Sequence, residues 1–112
     1  INTISVKVAV NPAKDDSYLS LEYAKETLKE AKKAGLKTNV VLLYSDKITY
    51  GNSQELPGGW SVDKAAEEAN KYTKTVLEEL KRAGAIPTMV TIGNEVNYNF
   101  LNKYYNLCLC KL

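Results

Sequence analysis

Polar side chains follow three apolar stretches of this sequence, and they are the residues best placed to do chemistry. The stretches end in Asn11-Pro12, in Tyr44-Ser45-Asp46 and in Gly93-Asn94-Glu95. Glu95 directly follows an apolar stretch, Gly93 allows close backbone approach, and Asn94 can donate hydrogen bonds beside it. In the half-buried place that we expect, such a carboxyl group can act as an acid and then as a base. A plain loop carboxylate would show the same short pattern.

Each of these polar groups comes after a predicted β-strand. Alternating apolar and β-branched residues predict a strand over residues 4–10, and a nearly continuous apolar run predicts a strand over 39–44 that is covered on both faces. Residues 88–92 form the third predicted strand. Polar groups at the carboxyl ends of parallel strands lie on one rim of the sheet, where α/β enzymes have their active sites.

Two helices separate the strands. Apolar residues at intervals of three and four predict one helix with Ser20 as N-cap and a longer one with Ser61 as N-cap, ended by Gly35 and Gly84 respectively. The order strand, helix, strand, helix, strand predicts an α/β fold with a parallel sheet. The loop over residues 45–59 is long for a simple connection, which is typical of functional or mobile loops.

Composition excludes several classes of function. The chain has 112 residues, a net charge of +2 and no run of apolar residues long enough for a membrane span, so we expect no nucleic-acid or membrane partner. It has no histidine and only two cysteines, which argues against a metal or another cofactor and against catalysis by an imidazole base. Cys108 and Cys110 are one residue apart and are predicted to be unpaired.

An ordered series of motifs resembles the family 53 glycoside hydrolases, the arabinogalactan endo-β-1,4-galactanases. The shared spacing runs from Val6 to Leu101. Its motifs are Val10-Asn11-Pro12, Ala34-Gly35-Leu36-Lys37, Tyr44-Ser45-Asp46, Pro57, Trp60, Tyr72-Thr73-Lys74, Val76-Leu77, Ala83-Gly84, Pro87, Met89-Val90 and Ile92-Gly93-Asn94-Glu95-Val96.

The resemblance implies a fold, a substrate and site residues. The fold is a parallel βαβαβ segment that corresponds to strands two to four of a (β/α)8 TIM barrel. Glu95 matches the acid/base of a retaining glycosidase, and Asn94 matches the side chain that holds the sugar 2-hydroxyl. Tyr44, Asp46 and Trp60 match substrate-binding positions, although Trp60 could equally be a hydrophobic anchor for the loop. The implied partner is β-galactan or a related polysaccharide, and the implied location is extracellular.

Several positions depart from the family pattern. Val41-Leu42-Leu43 stands where the family has an acid and a histidine before its tyrosine, Ile48-Thr49-Tyr50-Gly51 replaces a Trp-Ala-Asp-Pro motif, and Lys7 or Ser5 stands for an arginine. The family's second catalytic carboxylate, the nucleophile, comes from strand seven. Glu55 is the one other acid that we expect near the rim, and the family pattern does not support it as a replacement.

Three interpretations remain open. The chain is a fragment or truncated relative of a galactanase that carries the acid/base glutamate without the nucleophile, or it is a catalytically degenerate carbohydrate-binding or structural protein. The third is a small α/β interaction module. In the first two, residues 1–101 form a partial glycoside-hydrolase-like domain and 102–112 a tail of unclear structure. We expect the isolated chain to be inactive, and its sheet edges to pair with the remaining barrel segments or with a second copy.

Overall fold

Three parallel strands form the central sheet of the computed structural model. The structure describes residues 2–49, 54–95, 99–100 and 103–104. Strands β1 (Thr3–Val8), β2 (Lys37–Leu42) and β3 (Met89–Ile92) lie side by side in the order β1-β2-β3. Thr3 is aligned with Lys37 and Val8 with Leu42, while Asn39 and Leu42 of β2 are aligned with Met89 and Ile92 of β3. Because sequential strands are parallel neighbours, their carboxyl ends lie along one edge of the sheet.

Two α-helices connect the strands, and both end in the same way. Helix α1 spans Leu21–Lys33 and helix α2 spans Ala65–Arg82. The glycine after each helix has a positive φ, 78° at Gly35 and 72° at Gly84. In both helices the glycine N–H and the next N–H donate back to carbonyls of the last turn, which is the Schellman arrangement. The repeated Ala-Gly phrase in the sequence therefore marks two equivalent helix ends.

The amino-terminal ends of the helices differ from each other. The Ser20 hydroxyl accepts a hydrogen bond from the Tyr23 N–H at 3.1 Å, which confirms the predicted cap of α1. Ser61 makes no side-chain cap hydrogen bond, so the predicted cap of α2 is wrong. A short 3-10 helix, Val62–Lys64, comes between Ser61 and the first residue of α2. A second 3-10 helix, Lys14–Leu19, lies between β1 and α1.

The main core lies between the helices and one face of the sheet. Its buried side chains come from alternate strand positions and from one face of each helix: Val6, Val8, Val40, Leu42, Ala24, Leu28, Val76 and Leu80. A smaller cluster on the opposite face of the sheet consists of Ala9, Leu19, Val41 and Leu43. Strand β2 is therefore covered on both faces, as its continuous apolar run predicted.

Strand β3 has less cover than the sequence suggested. Val90 is 40% exposed and Ile92 is 52% exposed, although both belong to an apolar run. They point toward the helix side of the sheet, and within the described residues no helix follows β3 to pack on them. Val62, in the 3-10 helix before α2, and Ala66, in the first turn of α2, are also exposed.

Two short strands follow the sheet. Strand β4 (Asn99–Phe100) pairs antiparallel with β5 (Lys103–Tyr104). Most of the predicted tail, including Cys108 and Cys110, lies outside the described residues. In the part of the chain that the structure describes, no helix has the combined length and apolar character needed to cross a bilayer.

Candidate active site

Glu95 lies just beyond the carboxyl end of β3, on a backbone turn. The buried Gly93 has a φ of 78°, and its N–H donates to the Leu42 carbonyl at 2.9 Å, which extends the pairing with β2. Glu95 has a φ of 52°, and it is the one non-glycine residue with a positive φ among those described. Such a conformation costs of order 1–3 kcal/mol and persists where the surroundings hold it. The Glu95 side chain is exposed, which corrects the expected half-buried position; the sparse cover of β3 explains the difference.

Four hydrogen bonds join Thr49 and Gln54 to Asn94 and Glu95, and three of them end on backbone carbonyls of Asn94 and Glu95. The Thr49 hydroxyl donates to the Asn94 carbonyl at 2.8 Å, and the Asn94 side-chain amide donates to the Thr49 carbonyl at 2.8 Å. The Gln54 amide donates to the Asn94 carbonyl at 2.9 Å and to the Glu95 carbonyl at 3.1 Å. We call this set of four bonds the loop contact. It ties the segment after β2 to the segment after β3.

The loop contact was not foreseen from the sequence. Thr49 is 2% exposed and Gln54 is 4% exposed, which is unusual for polar side chains in a loop of this composition. Buried polar groups need hydrogen-bond partners, and here the partners are carbonyls about 40 residues away along the chain. No local pattern in the sequence marks such a pairing.

Asp46 organises the loops at the ends of β1 and β2. One carboxylate oxygen accepts from the Asn11 N–H at 3.0 Å, and the other accepts from the Gly58 N–H at 2.9 Å. The ends of β1 and β2 therefore lie close together, as predicted. The Asp46 side chain joins them through its hydrogen bonds to backbone N–H groups. Because both oxygens of Asp46 already accept hydrogen bonds, we assign it a structural role at this rim.

Tyr44 belongs to an aromatic group beneath the rim rather than on it. Its ring meets the ring of Tyr72 edge to face at 5.4 Å, and Tyr72 meets Trp60 in the same way at 6.4 Å. The Tyr72 hydroxyl donates to the Val8 carbonyl at 2.6 Å. The Thr73 hydroxyl donates to a carbonyl of its own helix, so the Tyr44 hydroxyl is the donor in the 2.7 Å contact with Thr73.

Burial changes the titration of these phenols. Removal from water raises the pKa of Tyr44 above its ordinary 10.0, and the hydrogen bond with Thr73 partly offsets this. Burial also raises the pKa of Tyr72, and the neighbouring Tyr44 adds to the effect. Tyr44 is 5% exposed and Trp60 packs on the main core, so in this structure both anchor the loop to helix α2. This placement differs from the substrate-binding roles that the resemblance implied.

The sheet face opposite the helices carries a row of polar side chains. The Asn39 side-chain amide N–H donates to the Ser5 hydroxyl at 3.2 Å, and the Thr91 hydroxyl donates to the side-chain oxygen Oδ1 of Asn39 at 3.0 Å. One side chain from each of the three strands therefore joins the row, on the face where Lys7 also lies. Among the described residues, no three His, Cys, Asp or Glu side chains cluster as a metal site would require.

Comparison with known proteins gives this arrangement a family. Residues 1–107 match Glycosyl hydrolase family 53. An arabinogalactan endo-beta-1,4-galactanase from Thermothelomyces thermophilus is 36% identical over 103 residues, which are 90% of this chain and 30% of that protein. One from Cellvibrio japonicus is 35% identical over 88 residues, which are 75% of this chain and 23% of that protein.

Solved structures agree with the sequence matches. A chain from a study of two fungal beta-1,4-galactanases superposes with a TM-score of 0.84 at 33% identity, covering 96% of this chain and 32% of its own. The Ignisphaera aggregans GH53 catalytic domain gives a TM-score of 0.83 at 26% identity, covering 92% and 31%. This chain thus spans about a third of the relatives that it matches, and its sheet and helices correspond to part of a (β/α)8 barrel. The chain belongs to glycosyl hydrolase family 53.

Proposed function

We propose that this chain is the part of a retaining endo-β-1,4-galactanase that supplies the acid/base glutamate, Glu95. The observation that carries the proposal is the position of Glu95: an exposed carboxylate just past the end of a parallel strand, on a backbone whose carbonyls at Asn94 and Glu95 accept three side-chain hydrogen bonds. Active sites of (β/α)8 barrels lie at this end of the strands. The substrate would be β-galactan, by similarity to the named relatives, and an extracellular location would follow from the same similarity.

Glu95 would act twice in the reaction. It would protonate the glycosidic oxygen as the leaving sugar departs, and it would then remove a proton from the water that hydrolyses the glycosyl-enzyme intermediate. Asn94 uses one N–H of its amide to bond the Thr49 carbonyl. The amide has a second N–H and an oxygen, which are the groups that would hold the sugar 2-hydroxyl.

Retaining hydrolysis also needs a carboxylate about 5–5.5 Å from the acid to attack the anomeric carbon. Glu55 forms an exposed ion pair with Lys47 at 2.9 Å, which gives it a different partner and no support as nucleophile. In the family the nucleophile comes from strand seven, whereas this segment corresponds to strands two to four. We therefore expect the isolated 112 residues to show no galactan hydrolysis above a Glu95→Ala control.

The free edges of the sheet would receive the remaining barrel segments. Strand β3 pairs only with β2 in the described residues, and its side chains Met89, Val90 and Ile92 are 40–52% exposed. On the other edge, a groove of about 380 Å³ runs along β1, beside the exposed rings of Tyr18 and Tyr23. Unpaired edges with apolar side chains favour pairing with further strands. Self-association through the same edges is the competing outcome.

A specific observation favours a second candidate function, a degenerate carbohydrate-binding or structural protein. Val41 and Leu43 make the carboxyl-terminal part of the inner face of β2 apolar, at positions where the family has polar, chemically active side chains. Apolar side chains at these two positions cannot donate or accept the hydrogen bonds by which a sugar ring is oriented. In this alternative, Glu95 would be retained without turnover.

Galactan cleavage by the native polypeptide that carries these residues distinguishes the two candidates. Loss of a general acid lowers rates by roughly 10²–10⁴-fold, so Glu95→Gln should lose at least about 100-fold on galactan. The loss in kcat/KM should be much smaller on an aryl β-galactoside whose leaving group needs no protonation, because kcat/KM reports the first, glycosylation step and not the later base-catalysed step. Glu55→Gln, a neighbouring exposed carboxylate, is the matched control and should retain wild-type activity.

Two results would contradict the acid/base role. One is galactan cleavage by Glu95→Gln within about threefold of wild type. The other is a wild-type polypeptide that binds galactan without turnover and keeps that affinity in Glu95→Gln, which would support the degenerate protein.

A further inference from the structure

The Gln54 side chain bonds to both peptide groups that flank the α-carbon of Glu95. The amide has two N–H groups, and it donates to the Asn94 carbonyl at 2.9 Å and to the Glu95 carbonyl at 3.1 Å. The Asn94 carbonyl belongs to the peptide plane before Glu95, and the Glu95 carbonyl belongs to the plane after it. The angle between these two planes is set by φ and ψ of Glu95. One buried amide therefore restrains φ and ψ of Glu95 together.

That restraint acts on a conformation that glutamate adopts rarely. A φ of 52° lies in the left-handed region, where a non-glycine residue is uncommon. Thr49 strengthens the restraint, because its hydroxyl donates to the same Asn94 carbonyl at 2.8 Å. With both donors removed, no side chain among the described residues would bond to the Asn94 or Glu95 carbonyl and oppose a return to the more populated regions. The direction in which the Glu95 side chain leaves the backbone would then change.

We propose that Gln54, supported by Thr49, is a positioning residue that sets the direction of the Glu95 carboxylate. The inference rests on the proposed acid/base role of Glu95 and adds the two side chains that orient its carboxylate. An acid must lie within hydrogen-bond reach of the oxygen that it protonates, and a displacement of about 1 Å at a reacting group can cost on the order of 10²-fold in rate. Gln54 and Thr49 act through the backbone and do not touch the substrate.

The test compares variants of the native polypeptide on two substrates. Gln54→Met keeps the length of the side chain without its N–H donors, and Thr49→Val removes a hydroxyl at constant shape. We expect each to lower kcat on galactan by roughly 10- to 100-fold with KM within about twofold. On a dinitrophenyl β-galactobioside, whose dinitrophenolate leaving group departs without protonation, the loss in kcat/KM, which reports the glycosylation step alone, should be less than about threefold. Thr49→Ser, which retains the hydroxyl, should restore most of the galactan activity.

A merely structural role predicts a different pattern. Destabilisation would lower the amount of active protein and reduce the rates on both substrates equally, and that result would overturn the inference, as would unchanged galactan activity in Gln54→Met. Glu55→Gln, on the adjacent residue, is the control and should match wild type on both substrates. If Glu95→Gln loses galactan activity but Gln54→Met loses both activities equally, the positioning role fails while the acid/base role stands.

A crystal structure of the Gln54→Met variant gives a measurement that needs no turnover. We expect φ of Glu95 to leave the left-handed region and its carboxylate to move by about 1 Å or more relative to wild type. A Glu95 that keeps its φ of 52° in the variant would overturn the inference, whatever the activity of the wild-type polypeptide. An inactive wild type would count against the acid/base role alone.

Discussion

Replacing Asp46 by asparagine separates a structural role of this carboxylate from the substrate-binding role that the family pattern implied. Both carboxylate oxygens accept backbone N–H groups, from Asn11 at 3.0 Å and from Gly58 at 2.9 Å. Asparagine has the same shape, but one of its two positions is an NH₂ donor. In either orientation of the amide, one backbone N–H then faces a donor.

The magnitude follows from these two bonds. A hydrogen bond to a charged acceptor contributes about 1.5–3 kcal/mol, and a neutral one contributes about 0.5–1.5 kcal/mol. Asp46→Asn loses one charged bond and weakens the other, while the exposure of Asn11 and Gly58 lets water replace part of the loss. We therefore expect the free energy of unfolding to fall by about 2 kcal/mol. Asp46→Ala should cost a similar amount, because water can reach both N–H groups.

Urea unfolding of the native polypeptide measures the loss, and initial rates on galactan give KM for the same variants. The exposed ion-pair variant Glu55→Gln should change stability by less than about 0.5 kcal/mol. KM should stay within about twofold of wild type in Asp46→Asn. A variant with wild-type stability and a KM raised tenfold or more would refute the structural assignment and restore Asp46 to the substrate site.

Two further predictions concern the helix ends and the buried phenols. Gly35→Ala and Gly84→Ala should each lower the free energy of unfolding by about 1 kcal/mol, because alanine is strained at positive φ. Gly58→Ala, whose added Cβ would lie 3.4 Å from Asp46, should cost less than about 0.5 kcal/mol in the same urea experiment. Since burial raises the pKa of Tyr44 and Tyr72 in the folded state, the unfolded chain loses these protons first. Stability should be fully present below pH 10 and fall above it, by about 1.4 kcal/mol per pH unit for each phenol, and Tyr44→Phe should reduce that slope when unfolding is measured between pH 9 and 11.

The periodic parts of the fold were predictable because their signals are local. Apolar spacing indicated both helices, and glycine after a basic last turn indicated where each one ends. Ser61 shows the limit of a local signal. It has the residue type of a cap, but the following residues Val62–Lys64 form a 3-10 turn and the hydroxyl makes no cap bond. Residue type alone does not specify which kind of turn begins a helix.

The direction of Tyr44 could not be read from the sequence for a related reason. The run from Asn39 to Tyr44 is almost continuously apolar, and a run without alternation does not show which side chains share a face. In the structure Tyr44 has the same parity as Val40 and Leu42 and joins them in the core under the helices. The motif was recognisable, but the face of the sheet that it occupies depended on packing.

The candidate acid and the groups that hold it belong to a single strand-helix-strand unit. Thr49 and Gln54 follow β2, and Asn94 and Glu95 follow β3, so the described side-chain hydrogen bonds to the left-handed turn at Glu95 come from within this unit. The departures from the family pattern at Val41 and Leu43 lie on the inner face of β2 and take no part in that support. The loss of polar side chains at Val41 and Leu43 is therefore physically independent of the hydrogen bonds that hold the backbone of Glu95. Substitution of Gln54 tests what sets the direction of the Glu95 carboxylate without altering the surface that would contact the sugar.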